Sequence, residues 1–507
     1  METSRYRREY AAYRSACEVA RYESGAGASS EAQVDRIRER YAELWTRDAV
    51  MELARARDET PATFETERAA LSALANAARL AYAEAHAREV TDELSRCEIA
   101  SCVAWGGERL GLRGIAARLA AESDAARRRE LGARWLDAVR PCDDLRAARL
   151  ERLRDAAREL DFDSYGALLA AATNTDTVKL SASARVVLER TAAVYESLVA
   201  AWAARHVPLD IGRGLDFADE AFFARLTHLD QFFPPGAART TYEAAMRGLG
   251  VRIGLQENLR VEESAEVEAG GARCFGVRPP EDVRLVFNAR AGADFYQNFF
   301  DEAARAQQLA WASRELAARY PEFVHAPDRA TCTGFGFLFR ALFADAAWLV
   351  ETRGVRASDA EEIAKACALV ELHDARRASA RVIDQFELYA ADDPRAEGLA
   401  ESFAARRHEA TGFRPSPALH LFETTGNGAP AAEALRGRLF AASLGEHLRT
   451  RHGTRWWARR AGGDELIDLW NTASRYTVEE LAPLAGAGAL DAELLSETLN
   501  AATKKGK

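Results

Sequence analysis

Residues 294–311, DFYQNFFDEAARAQQLAW, hold neither Gly nor Pro. Their apolar side chains recur at helical spacing: Phe295, Phe299 and Phe300, then Ala303, Ala304 and Ala306, then Leu309, Ala310 and Trp311. This predicts one amphipathic helix. A face led by three phenylalanines has to enter a core, so the rest of the chain is organised around this stretch. Composition says what surrounds it. Only 33 Gly and 14 Pro occur in 507 residues, while Ala, Arg, Leu and Glu abound, which favours long helices over sheets.

The net charge of −10 interleaves both signs, as in RIRERYAEL at residues 36–44. Such spacing gives solvated helix faces and leaves no basic footprint for nucleic acid. No run reaches the roughly 18 apolar residues that a membrane span needs, and the polar start METSRYRREYAAYRSACEV has no secretory apolar region. The seven cysteines, Cys17, Cys97, Cys102, Cys142, Cys274, Cys332 and Cys367, are scattered and form no CxxC pair. Reduced thiols in a cytoplasm are expected, with neither a disulfide frame nor structural zinc.

Helical patterns run through residues 31–57, 63–96, 112–121, 124–139, 143–160, 164–172 and 181–205. Breaks fall at Gly25-Ala26-Gly27, Gly106-Gly107 and Pro141, and Asp124, Asp143 and Ser181 are the expected N-caps. Loops at 212–214 and 234–236 bracket a short helix, and another helix ends at Gly250. The period then changes. Residues 255–267, 272–277 (ARCFGV) and 283–288 (VRLVFN) read as strands, with Gly270-Gly271 as a hairpin turn and Pro279-Pro280 as a stop. Helices resume at 357–389, 394–411, 431–451, 465–472 and 478–482, and 420–430 is a glycine-containing loop. The chain divides into a helical region 1–205 and a region 206–507 that carries the small sheet, near residues 251–290.

Within the 294–311 helix, Asp301, Glu302 and Arg305 stand at i, i+1 and i+4. That is the frame of H-E-x-x-H, where two His one turn apart bind zinc beside a Glu general base. Here Asp and Arg occupy the ligand positions and only the Glu remains.

Four stretches extend the pattern: AARELDFDSY at 156–165, the strand and helix of 283–308, residues 329–348 with the run TGFGFLF, and residues 438–477 ending in RYT. In this order they resemble thimet oligopeptidase and oligoendopeptidase F, zinc metallopeptidases of the gluzincin type. The chain is read as a degenerate member of that family. The resemblance implies a mainly α fold, a two-lobed helical clam with a small antiparallel sheet beside a central cleft. It places the first zinc His on Asp301, the catalytic Glu on Glu302, the second His on Arg305 and the third ligand, a Glu, on Thr333. A further His of the family falls on Gln308, and a late Tyr that holds the reacting carbonyl falls on Ala434.

The chemistry of these replacements points one way. Zinc requires a tetrahedral set of lone-pair donors. Arg305 has none and keeps its proton, so its cation fills the place of the metal's ligand, paired with Asp301 or with Glu302. Without zinc, water keeps its bulk pKa and a Glu base has little to activate. The expectation is a protein without metal or cofactor that has lost peptidase activity and keeps a cleft for a peptide or small-molecule ligand. A metal-independent enzyme using Glu302 with Asp301 and Arg305 is one alternative; a regulatory or structural partner subunit is another. Arg273, Cys274 and Phe275 lie on the expected edge strand, which either receives an extended peptide through its main chain or is shielded by its neighbours.

Other groups carry weaker signals. His325 and Cys332 flank the third-ligand position, where Cys332 reads as a small buried residue. His373-Asp374 reads as part of a solvated helix face. His447 and His452 are five apart with no carboxylate pattern. Thr424 to Gly428 is glycine-rich but follows no strand and has no GK[ST], so it reads as a loop at the cleft.

Overall fold

The computed structural model describes residues 2–24, 28–206, 214–265, 267, 271–326, 328–425 and 431–504. The expected glycine loops at 25–27, 212–213 and 426–430, and Gly270, lie outside them. The fold is mainly helical with small sheets. The elements that matter below are α1 (Thr3–Glu23), α2 (Thr177–His206), α3 (Ala293–Ala310), α4 (Arg329–Arg340), α5 (Ala357–Ala390) and α6 (Ala431–His452). The strands are β1 (Leu259–Glu263), β2 (Ala272–Arg278) and β3 (Asp282–Phe287).

Local chemistry accounts for most boundaries. The Asp124 carboxylate accepts the N–H of Ala126 and Arg127 and starts the next helix as expected. The start of α2 differs from expectation: Asp176, not Ser181, caps it by accepting the Lys179 N–H at 2.9 Å. Asp143 lies within the first turn of its helix rather than at the cap, where its charge suits the helix dipole.

The small sheet has the order β1-β3-β2. It is mixed, with β3 antiparallel to β2 and parallel to β1, and this corrects the antiparallel sheet and the hairpin between β1 and β2. The burial pattern gives the reason. Val283, Leu285 and Phe287 enter the main core on one face of β3, while Val286 is buried on the other. A strand buried on both faces takes the centre, and parallel pairing follows where both faces are covered. The covers are α3 on one side and α1 on the other. Val19 and Tyr22 of α1 pack on Phe275, Val277 and Val286, and the Tyr22 hydroxyl donates to Glu262 at 2.8 Å.

Two further strand pairs escaped the sequence reading. Cys102–Trp105 and Glu108–Gly111 form a hairpin round Gly106 and Gly107, whose φ values of 59° and 86° suit a two-residue turn. Leu215-Asp216 lies parallel to Phe413-Arg414.

The phenylalanine face of α3 sits in the largest core, with Phe299 against Phe287 and Tyr242 and Phe300 against Phe343 and Trp348. Leu180, Val187, Tyr195 and Val199 of α2 join that same core, so helices on both sides of residue 205 share it. A second cluster, round Tyr6, Leu74 and Leu150, extends to Leu388 and Leu421. Helices α4 and α6 approach closely through Gly334 and Gly437: a Cβ on Gly437 would stand 3.0 Å from the Gly334 nitrogen.

Cysteine pairing is a second correction. Cys97 and Cys142 form a disulfide with Cα atoms 6.0 Å apart, and Cys17, Cys102, Cys274, Cys332 and Cys367 are free. The two partners are 45 residues apart and meet only because the helix Arg88–Ala100 packs on the helix that begins at Asp143, a proximity that spacing does not reveal. Among the described residues no single helix is long and apolar enough to cross a membrane.

Candidate cleft beside the central helix

A cleft of about 1370 Å³ lies between α1, β2, α3 and α4. Asp301, Glu302, Arg305 and Thr333 all line it, as do Arg273, Cys274 and Phe275. The structure thus gathers candidate residues from three separate stretches, β2, α3 and α4, at one place. Gln308, His325 and Cys332 reach the same space, whereas Ala434 does not and its neighbour Glu433 does.

Glu302 faces the outer strand β2 of the sheet. Its Oε2 accepts the Cys274 backbone N–H at 2.8 Å. Four residues earlier on the same helix, the Asn298 side chain accepts the Ala272 N–H at 2.9 Å. Those two donors point away from β3, so the outer edge of β2 is partly occupied by side chains of α3. The Arg305 guanidinium stands 3.9 Å from the same Glu302 oxygen, with its side chain 35 % exposed. Of the two partners expected for Arg305, Glu302 is therefore the nearer, and the contact is a loose one.

Asp301 turns the other way. Among the described residues it has neither a hydrogen bond nor an ion pair, and its Oδ1 fits against Gly336 of α4, where a Cβ would stand 1.6 Å from it. Burial pushes its carboxyl up to about 7; Arg340 and Arg438 oppose that, and Glu302 and Glu371 reinforce it. Behind it, Arg340 donates to Glu371 at 2.7 Å and to Asp374 at 3.1 Å, and Arg438 donates to Glu371 at 2.9 Å. Glu433, only 6 % exposed, has its nearest cation, Arg329, at 3.5 Å; burial pushes it to about 7 as well.

The remaining candidates have structural surroundings. Burial, with Arg14 beside it, pushes the His325 imidazole down to about 3, so it is neutral. The Cys332 thiol donates to the Arg329 carbonyl at 3.2 Å, and burial raises it despite Arg305 and Arg329 nearby, which is the reverse of an activated nucleophile. Among the described residues no three His, Cys, Asp or Glu side chains come together to hold a metal ion.

No family model matches this sequence, and no curated protein is significantly similar to it.

Two readings of histidines need correction. His373 is 1 % exposed, not on a solvated face: its Nε2 lies 2.9 Å from Glu220 and its Nδ1 2.7 Å from the Tyr195 hydroxyl. Around His373 most faces of α5 are buried, Cys367, Glu371, Arg376 and Ser379 included, so the charges there are internal. His447 and His452 share one carboxylate after all, with Nε2 atoms 2.7 and 2.6 Å from Glu465 of the helix Arg460–Asn471.

Sequence reasoning missed Glu433, Gly336, Arg475 and the wall supplied by α1, where Tyr10, Arg14 and Glu18 face the cleft. The second glycine of TGFGFLF was the only hint of the room made for Asp301.

Proposed function

We propose that this chain is a zinc-free, oligopeptidase-like protein that holds a peptide or small molecule in its cleft without cleaving it. The observation that carries this reading is the engagement of Glu302. The carboxylate at the general-base position accepts a backbone N–H from β2 and has the Arg305 guanidinium beside it, at the position where the family's motif carries its second His. A base so placed is an anchor for the strand, and the neighbouring guanidinium, which can hold an oxyanion, does not lower the pKa of water as zinc does, so the attacking water is left unactivated. The cleft itself exceeds the usual size of a small-molecule site, roughly 300–1,000 Å³, which suits a short peptide. With the Ala272 and Cys274 donors taken, side chains rather than strand addition would do most of the holding.

Metal analysis of the purified protein after chelation tests the proposal, together with turnover of a quenched fluorescent peptide library. Metal-free protein with no turnover is expected. Stoichiometric zinc that survives chelation, or cleavage that Glu302→Gln abolishes, would sink it.

A metal-independent enzyme is the second reading. It is favoured by Asp301, an unpaired carboxyl near neutrality at the cleft wall. A turnover lost in both Asp301→Asn and Glu302→Gln would select it. Cytoplasmic residence also belongs to the proposal; the Cys97–Cys142 bond argues against a reducing compartment, and cell fractionation decides.

A further inference from the structure

The charges of the cleft do not balance once their partners are counted. Three of its carboxylates are engaged elsewhere. Asp328 and Glu479 both hold Arg436, and Glu480 closes a capping box with Thr477. A fourth, Glu18, pairs with Arg21 at 2.9 Å and with Arg14 at 3.7 Å, and a fifth, Glu302, accepts the Cys274 N–H at 2.8 Å and is the 3.9 Å neighbour of Arg305. Asp301 and Glu433 are each raised to about 7 by burial and carry only part of a charge near neutral pH. On the other side, Arg305 has one contact at 3.9 Å. Arg273 and Arg475 line the same space and have no hydrogen bond or ion pair from their guanidinium groups among the described residues. Arg14 reaches Glu18 only at 3.7 Å, and its buried Nε has no hydrogen-bond partner among the described residues.

Unpaired guanidinium forks facing one cavity form a receptor for a planar anion, because each fork presents parallel N–H donors that match a carboxylate. The walls between them are aromatic: Tyr10, Tyr13 and Phe275 reach the cleft and offer apolar surface to side chains. We propose that the cleft selects a carboxylate-bearing peptide, with the carboxylate seated on Arg305 and Arg273 where a zinc peptidase would hold its metal and the substrate carbonyl. This rests on the ligand-binding reading above and adds a charge requirement to it. The carboxylate is either the C-terminus of the peptide or an acidic side chain within it.

Three pools of random pentapeptides built from neutral residues separate these cases: one with a free C-terminus, one amidated, and one amidated with an internal Glu. Calorimetric titration into the wild-type protein is expected to favour the first or the third pool over the neutral amide by about tenfold or more, the size of one charge-assisted contact. A preference for the first identifies the terminal carboxylate, and for the third an acidic side chain. Arg305→Gln or Arg273→Gln removes the preference. Neither guanidinium has a close ion pair, so both variants keep the fold, and thermal melts check that. Equal binding of all three pools overturns the charge requirement while the ligand-binding cleft survives. So does a preference that outlasts both substitutions. Binding of no pool overturns this inference and the ligand-binding reading together.

Discussion

The Glu302 carboxylate and the Cys274 amide are 28 positions apart in sequence and 2.8 Å apart in space. This bond ties the central helix to the outer strand of the sheet. Cys274 is 4 % exposed, so its N–H has no water to turn to if the acceptor is removed. Glu302→Ala is expected to cost about 1–3 kcal/mol, and Glu302→Gln, which keeps an acceptor, clearly less. Urea denaturation measures both. An alanine variant as stable as the wild type would show that the bond contributes nothing.

Gly336 and Asp301 form a second coupled pair. Gly336→Ala drives a methyl into the Asp301 carboxylate, with 1.6 Å between Cβ and Oδ1 before relaxation, and is expected to destabilise strongly. Adding Asp301→Ala should restore much of the loss, since it removes the clashing atoms. A double-mutant cycle with no coupling would refute the contact.

Arg436 is 1 % exposed and joins three segments: it donates to Asp328 at 2.8 Å, to Glu479 at 2.6 Å and to the Thr173 carbonyl at 3.0 Å. Arg436→Ala leaves the Asp328 and Glu479 carboxylates without their cation and is expected to cost about 3–5 kcal/mol. Arg436→Lys, a point charge without the fork, recovers only part of it. Thermal and urea unfolding of the two variants provide the check.

The raised carboxyls set a pH dependence. Folded Glu433 and Asp301 sit near 7, against roughly 4 in an unfolded chain. The folded state therefore binds the proton more tightly. The stability this gives is complete at low pH, below the unfolded value, and disappears as pH climbs through the folded one. Glu433→Gln and Asp301→Asn should each flatten the decline in unfolding free energy between about pH 4 and pH 7, by at most about 1.4 kcal/mol per pH unit for each group. Parallel curves for wild type and variants would contradict it.

Thiol titration reads the cysteine framework directly. Denatured, unreduced protein should expose five reactive thiols, since five cysteines are free and Cys97 is bonded to Cys142. After reduction all seven should react. Seven before reduction would restore the fully reduced chain that the scattered spacing suggested.

Local signals in the sequence were dependable. The uninterrupted apolar period of residues 294–311 became a helix displaced by one residue at each end, and residues 357–389 became α5 with one residue added. The alternation in VRLVFN marked β3 and its buried face. What stayed hidden depended on partners far along the chain. The order of the sheet was decided by α1 and α3 covering both faces of β3, and neither cover is written in the strands themselves. His373 sits in a charged pattern that reads as surface, yet Glu220, Tyr195 and Arg407 gather to satisfy that patch internally. In the cleft, the identities of Asp301, Glu302 and Arg305 were legible from the motif, but their directions were not. Glu302 turned to a backbone amide and Asp301 to a glycine, choices set by tertiary packing.

The cover that α1 lays over the sheet also forms one side of the cleft. Cutting the chain after Glu23 would bare Phe275, Val277 and Val286 to solvent and, in the same stroke, unroof the chamber beside Arg305. The shape of the cleft and the shielding of the sheet's apolar face thus share one helix, so a change in α1 that loosens one is expected to disturb the other.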